Sequence, residues 1–471
     1  MESHSRENFS VSDMDKNAYF HPATSIQMLE SNGPMMFSNA SGITIEGPGG
    51  RRMMDLGAGL WCVNSGYGRE ELVEAGADAM RGLSYYHSFG AASNEYAARL
   101  ADEIISLLHE KAGARHMSKV FFGSSGSDAN DTAYKLVRYV NNLRGRPDKK
   151  KFISRMGAYH GLTYAAAGLT GIPSYHVAFD LPQTGVFHTG CPHFYRFAEE
   201  GETEAEFTAR RLAELEQLIE REGADTIAAM IMEPIMGTGG VFVPPQGYLK
   251  GVQKILRDND ILMIVDEVIT GFGRLGSWFG TGHYDLQPDI ITMAKGVTSA
   301  YFPLSCTVIS EGIYETLREA SPRTGPIMHG FTYSGHPVGC AIGLANMELM
   351  KRDELVENAA ELGPHLIERL RARVGDNPHV GDVRGVGLMA AVEFVADRKT
   401  RRFFPKGSDA HRIVARASMA QDVLVRALPF IEVTSFSPPL TITRAEIDEA
   451  VERFGRAVDA ATPDLAALAK A

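Results

Sequence analysis

Apolar positions along the chain fall into two repeating arrangements. The first is a set of short runs without polar alternation: Ile227-Ala-Ala-Met-Ile-Met, Ile261-Leu-Met-Ile-Val-Asp and Pro288-Asp-Ile-Ile-Thr-Met-Ala-Lys. Each is closed by charged or small residues, which is how strands buried on both faces of a parallel sheet read. Similar runs at 120–123, 151–155 and 304–310 extend that sheet. The second arrangement has helical spacing and predicts helices over 70–82, 94–111, 204–222, 247–259, 353–373, 410–421 and 444–460. Segment 36–63 reads as an antiparallel meander around Gly47-Pro-Gly-Gly. Residues 1–35 form a polar arm, 171–200 a long irregular loop, and the chain after Thr462 a frayed tail.

Alternating strands and helices predict an α/β fold: a large domain with a mostly parallel sheet between helices, then a smaller α+β unit. Residues 1–66 form an N-terminal arm and part of the small domain, 67–335 the large domain, and 336–471 the C-terminal small domain. At 471 residues the chain is long enough for two or three packed units.

Composition narrows the function classes. A net charge of -11 gives no support for nucleic-acid binding. No run is long and apolar enough for a membrane span, and the opening residues lack the core of a signal peptide, so the cytoplasm is the expected compartment. The four cysteines, Cys62, Cys191, Cys306 and Cys340, are scattered and lack metal-ligand spacing; free thiols are expected, and no metal site.

The candidate chemistry gathers where strands run out, the place where open α/β sheets bind ligands. Val120-Phe-Phe-Gly-Ser-Ser-Gly-Ser-Asp-Ala-Asn leads from a strand into a helix, so free N–H groups and the hydroxyls of Ser125 and Ser127 form an anion cradle. An ordinary turn with a capping serine is the competing reading. No Gly-Lys-Ser/Thr ends the motif, so a nucleoside triphosphate is not implied. No Gly-x-Gly-x-x-Gly opens a helix, which weighs against hydride transfer. Tyr159 follows the next strand and offers a ring to cover a flat ligand; beside it, His160 is either structural or functional. Asp266 supplies an anion and Lys295 an amine. Val268, two residues beyond Asp266 along an extended strand, shares its side. Together these groups suit pyridoxal phosphate: Asp266 keeps the pyridine nitrogen protonated, and Lys295 holds the aldehyde as a Schiff base and later moves the substrate proton.

These motifs resemble the class III (omega) aminotransferases, pyridoxal-phosphate enzymes of fold type I. The resemblance runs from about His21 to Ala460. It rests on Asp55-Leu-Gly-Ala-Gly-Leu-Trp-Cys-Val-Asn, Gly123-Ser-Ser-Gly-Ser-Asp-Ala-Asn, Tyr159-His-Gly, Ile231-Met-Glu-Pro, Val265-Asp-Glu-Val-Ile-Thr-Gly-Phe-Gly-Arg, the Lys295 segment and Gly330-Phe-Thr-Tyr-Ser-Gly-His-Pro. It implies that Lys295 is the Schiff-base lysine and Asp266 the partner of the ring nitrogen. Gly126 and Ser127 then form the phosphate cup, Tyr159 stacks on the ring, and Glu233 stands close behind the cofactor. Thr332 reaches the phosphate of the neighbouring subunit. Homodimers with shared active sites are implied, some pairing further into tetramers.

Within the family, Gly59-Leu-Trp-Cys-Val-Asn and Val425-Arg-Ala resemble the branch that uses pyruvate as acceptor. Trp61 then lines the substrate pocket, and Arg426 grips the carboxylate of pyruvate or alanine. An interdomain salt bridge is the alternative for Arg426. The ornithine and 4-aminobutyrate branches fit less well. The chain has Gly90 where relatives of the pyruvate branch tend to carry a bulkier aromatic, which leaves the donor unnamed. The expected reaction is ping-pong transfer of an amino group from an amine or omega-amino acid to pyruvate, giving an aldehyde or ketone and L-alanine. An aminomutase or decarboxylating transamination is the nearest alternative, and a non-catalytic interaction protein a remote one.

Overall fold

A computed structural model describes residues 10–470. Its central sheet has seven strands, in the order Met117–Gly123, Ser305–Ser310, Ile290–Met293, Leu262–Asp266, Ile227–Met232, Lys151–Arg155, Val186–Thr189. Five of these run parallel in one block, while Ser305–Ser310 pairs antiparallel with both its neighbours. The apolar runs are buried throughout because helices cover both faces. Ala229, Ile231 and Ile264 pack with Leu136, Val137 and Val140 of helix Gly126–Leu143. Met230, Met263 and Val265 point the other way, toward Leu215, Ile219, Val252 and Leu256 of helices Glu204–Glu222 and Tyr248–Asp258.

Both ends of the chain contribute to the smaller unit. Arg52–Asp55 pairs antiparallel with Thr44–Glu46 and parallel with Val423–Leu424, far along the sequence. A second small sheet has the order Val380–Val386, Met389–Phe394, Val433–Phe436, Arg426–Ala427. Helix Pro337–Arg352 packs back onto helix Glu70–Gly82, where Gly76 leaves room for Ile342: a Cβ there would lie 2.9 Å from its Cδ1.

Three expectations change. The arm contains two short helices, Val11–Ala18 and Ile26–Asn32, each with a serine N-cap. The expected loop 171–200 includes an edge strand, Val186–Thr189, parallel to Lys151–Arg155. The tail is not frayed: one helix runs Arg444–Lys470 through Pro463, held by the buried Leu465 and by Asn377 donating to the Thr462 hydroxyl at 2.7 Å.

Candidate active site

The carboxyl ends of the parallel strands open into one cavity lined by Leu60, Gly126, Ser127, Asn130, Tyr159, His160, Gly161, Glu233, Thr238, Asp266, Val268, Ile269, Lys295 and Arg426. Nine of the twelve residues singled out from sequence lie on its wall: Gly126, Ser127, Tyr159, His160, Glu233, Asp266, Val268, Lys295 and Arg426.

Asp266 is the last residue of its strand and only 4% exposed. Its Oδ2 accepts from Asn130 Nδ2 and from His160 Nδ1, both at 2.8 Å, and Oδ1 accepts from the Val268 N–H at 3.0 Å. A carboxylate can only accept, so the His160 proton facing it sits on Nδ1. These three donors fix the orientation of the Asp266 carboxyl at the strand end. Asn130 is itself fixed: its other Nδ2 bond goes to the His160 carbonyl at 2.7 Å, and its Oδ1 accepts from Thr292 Oγ1 at 2.7 Å. The aligned Asp-x-Val pair arises differently from the strand alternation expected. The strand stops at Asp266, and Val268 lies in the turn beyond it, folded back by the bond to the Asp266 carboxylate.

The anion cradle is formed by the N-terminus of helix Gly126–Leu143, and its donors are sorted by a capping box. Asp128 Oδ2 accepts from the Ser124 and Ser125 N–H groups at 2.9 and 3.0 Å, and the Ser125 hydroxyl accepts from Asp128 N at 3.2 Å. Ser125 is therefore the helix cap and lies outside the residues lining the cavity, beside Gly126 and Ser127, which do line it. The N–H groups of Gly126 and Ser127 have no partner among the described residues. Ser127 Oγ accepts from Leu162 N at 3.1 Å and keeps its own proton to donate. A Cβ on Gly126 would stand 2.8 Å from Val268 Cγ1, and one on Gly161 2.4 Å from Ser127 Oγ. Both glycines let the cradle, the Asp266 turn and the Tyr159-His-Gly loop close on one another.

Glu233 follows its strand and ties two further walls. Oε1 accepts from the Tyr159 N–H at 3.0 Å and Oε2 from the Gly237 N–H at 2.8 Å; burial pushes its carboxyl above the usual range. Tyr159 meets Tyr175 edge to face at 5.7 Å, and burial raises its hydroxyl to about 12. Lys295 is the first residue of a tight turn after Ile290–Met293, with φ 49° in the left-handed region. Burial lowers the affinity of its amine for a proton and the Arg426 charge adds to that, outweighing Cys62, Asp266 and Glu233, which pull the other way. Arg426 sits on the small sheet, largely buried, and its guanidinium has no ion-pair or hydrogen-bond partner among the described residues.

Three residues stand elsewhere. Ser125 caps the helix. Trp61 is 1% exposed in an apolar cluster with Ala158, Phe242 and Leu428, and its neighbour Leu60 is the one on the cavity wall. Thr332 is exposed on the surface of the chain, its carbonyl accepting from Tyr85 Oη at 2.8 Å. Sequence reasoning missed Thr238, Ile269 and the bridging role of Asn130. Asn130 had a usable signal, being five residues into the helix and so more than a full turn beyond the cradle.

The Lys295 amine, a carboxyl group held by three donors, and a helix N-terminus with two N–H groups free among the described residues fit the aldehyde, ring nitrogen and phosphate of pyridoxal phosphate. The class-III aminotransferase family model matches residues 27–458. The chain belongs to that family. A diaminobutyrate–2-oxoglutarate transaminase of Halomonas elongata is 46% identical over 457 residues, covering 96% of each chain. The gamma aminobutyrate transaminase 2 of Solanum lycopersicum is 40% identical, covering 93% of this chain and 94% of its own. Among solved structures, the omega transaminase of Pseudomonas jessenii in complex with PMP superposes with a TM-score of 0.93 at 41% identity, covering 97% of this chain and 99% of its own. A thermostable (S)-enantioselective omega-transaminase of Thermomicrobium roseum gives 0.90 at 41%, covering 96% and 98%. This class-III aminotransferase is a pyridoxal-phosphate-dependent enzyme of fold type I, and it works by ping-pong transamination through a lysine.

Proposed function

We propose that the enzyme moves the amino group of an apolar amine or omega-amino acid to pyruvate, giving an aldehyde or ketone and L-alanine. The observation that carries this reading is Arg426: a buried guanidinium, unpaired among the described residues, on the wall of the cavity that also holds Lys295. A planar cation in that position suits one carboxylate held by two parallel bonds. Among the described residues the other basic side chains on the wall are Lys295 and His160, the latter bonded to Asp266, while Leu60, Val268 and Ile269 are apolar. A keto acid with a single carboxylate is matched; among the described residues of the wall no second arginine faces a second carboxylate.

Bound pyridoxal phosphate supplies an aldehyde carbon for amine exchange and a ring that takes up negative charge from the substrate carbon. The chain's residues do the rest. Asp266 keeps a proton on the ring nitrogen, steadied by Asn130 and His160. Gly126, Ser127 and the helix N-terminus hold the phosphate. Lys295 would hold the cofactor, and its Nζ, whose proton affinity is lowered by burial, would serve as the base for the proton on the amine-bearing carbon. Donor and acceptor share one cavity, so the first product leaves before the keto acid enters against Arg426.

The reading extends to a cytoplasmic homodimer in which Thr332 serves the partner's site. Exposed apolar side chains support it: Phe89, Ile327 and Met328 line one surface hollow close to the 330–335 segment. The name of the Halomonas relative favours a second reading, with 2-oxoglutarate as acceptor. The test is to bleach the cofactor absorbance with alkylamines, benzylic amines, diamines and 4-aminobutyrate, then restore it with pyruvate or 2-oxoglutarate. Restoration by pyruvate alone is expected; restoration by 2-oxoglutarate alone would replace this reading with the second. Arg426→Ala is expected to abolish restoration by pyruvate while bleaching by uncharged amines continues, and equal loss of both would remove the carboxylate role of Arg426.

A further inference from the structure

Lys295 stands at φ 49°, a conformation that an L side chain adopts only when its surroundings impose it. Ser299 and Ala300, later in the same turn, also have positive φ, at 50° and 64°. Around this turn lies a buried polar group of residues that the reaction itself does not use. Asn346, fully buried on helix Pro337–Arg352, donates from Nδ2 to the carbonyls of Gly296 at 2.9 Å and Val297 at 3.1 Å, the two residues directly after the lysine. Its Oδ1 accepts from Ser65 Oγ at 2.6 Å, which together with the two carbonyls fixes the orientation of the amide. The Ser65 N–H in turn donates to Ser299 Oγ at 2.9 Å.

The chain continues past Ser65. Asn64 presses on the same turn, since a Cβ on Gly296 would stand 2.5 Å from its Nδ2, and that Nδ2 donates to the Phe272 carbonyl at 2.7 Å. Asn64 Oδ1 accepts from Arg274 Nη2 at 2.7 Å. Arg274 is completely buried without a carboxylate partner among the described residues, and its Nη1 donates to the carbonyls of Leu388 and Pro438 in the small unit. Two sets of hydrogen bonds, joined by the consecutive residues Asn64 and Ser65, therefore connect the small unit to the lysine turn, and those residues lie a few positions beyond Leu60 of the cavity wall.

We propose that Asn346 and Ser65, braced by Asn64 and Arg274, are positioning residues that hold Lys295 in its strained turn and so set the reach and proton affinity of its amine. Without the two Asn346 bonds the Gly296 and Val297 carbonyls lose buried donors, and the turn relaxes toward an ordinary backbone conformation. Lys295 Nζ then no longer meets the reacting carbon in its aligned position. The inference rests on Lys295 being the residue that holds the cofactor.

The test uses holoenzyme carrying Asn346→Asp, which keeps the size and removes both donors, beside Ser65→Ala, which removes only the support of the amide. Three quantities are read: the pH midpoint of the visible cofactor band, the single-turnover bleaching rate with an uncharged amine, and the amine concentration giving half-maximal rate. Asn346→Asp is expected to move the midpoint by about half a unit or more. It is also expected to slow bleaching by about ten- to a hundredfold, the usual scale for losing a group that orients a reacting one, with little change in half-maximal concentration. Ser65→Ala is expected to do the same to a smaller extent, and it decides the matter if Asn346→Asp is not recovered folded. A midpoint that stays put with bleaching within about twofold in the folded variants, even with a lower melting temperature, overturns the inference. Absence of any visible band in the unmutated holoenzyme would instead overturn the role of Lys295.

Discussion

Asp266 accepts three hydrogen bonds while almost wholly removed from water. The donors from Asn130, His160 and Val268 satisfy both of its oxygens and hold the side chain in one orientation facing the cavity. Asp266→Asn is isosteric but cannot hold a proton on a ring nitrogen, so amine bleaching should slow by about a hundredfold or more, on the scale of removing one preorganised electrostatic partner. Stopped-flow absorbance checks this, and a rate within a few-fold of the parent would deny Asp266 its role. Gly126→Ala should release the cofactor more readily, because the new Cβ meets Val268 at 2.8 Å and must push the Asp266 turn off the cradle; equilibrium dialysis of the holoenzyme reads it. At this scale the charged groups were legible because each ends an apolar run. Two details came from local structure that strand periodicity does not contain. Val268 reaches the cavity wall through the turn after Asp266 and not along the strand, and Ser125 caps the helix in a capping box whose pattern, Ser followed three residues on by Asp, was present in the sequence.

Between elements, a buried concentration of charge lies away from the cavity, where the small sheet meets the segment after the edge strand. Glu393, completely buried on Met389–Phe394, accepts from His193 at 3.0 Å, Arg196 Nε at 2.7 Å and Arg384 at 2.7 Å. Arg384 also binds Asp382 at 2.9 Å and the Gly240 carbonyl. His193, Asp382 and Glu393 converge closely enough to suggest a metal, but the Arg384 guanidinium bridges both acids, and a cation in that position makes the group an ion-pair network. Burial by itself would raise the Glu393 carboxyl; the charge of Arg384 and the bonds from His193 and Arg196 outweigh it and hold the group well below the usual range. A folded-state value below the unfolded one means that this stability is complete at neutral pH and is lost as pH falls below about 5. Glu393→Gln leaves two buried guanidinium groups short of charge and should cost about 3–5 kcal/mol at pH 7. It should also flatten the acid limb of a denaturation series taken from pH 7 to about 2; an unchanged limb would show that other groups govern it. The edge strand Val186–Thr189 escaped sequence reasoning because Pro182 and Gly185 precede a run of only four residues, half-buried and carrying a histidine. Helix 444–470 ran past its expected end because Leu465 finds a buried place that no local propensity records.

For the whole molecule, the fold class and the gathering of both chain ends into one smaller unit were readable from the order of strand-like and helix-like segments and from the family motifs. The assembly was not, since nothing in a single chain's periodicity distinguishes an interface helix from a solvent-facing one. A homodimer is the expected state in sedimentation, and Thr332→Ala should keep it while raising cofactor release by about tenfold, as befits one lost bond to a charged group. Release unchanged in that variant would separate Thr332 from the phosphate. The most direct test of the whole assignment is borohydride reduction of the holoenzyme followed by peptide mapping. The expected result is a single pyridoxyl label on Lys295, absent after prior bleaching with an amine. A label on any other lysine, or one that amine treatment fails to prevent, would contradict it.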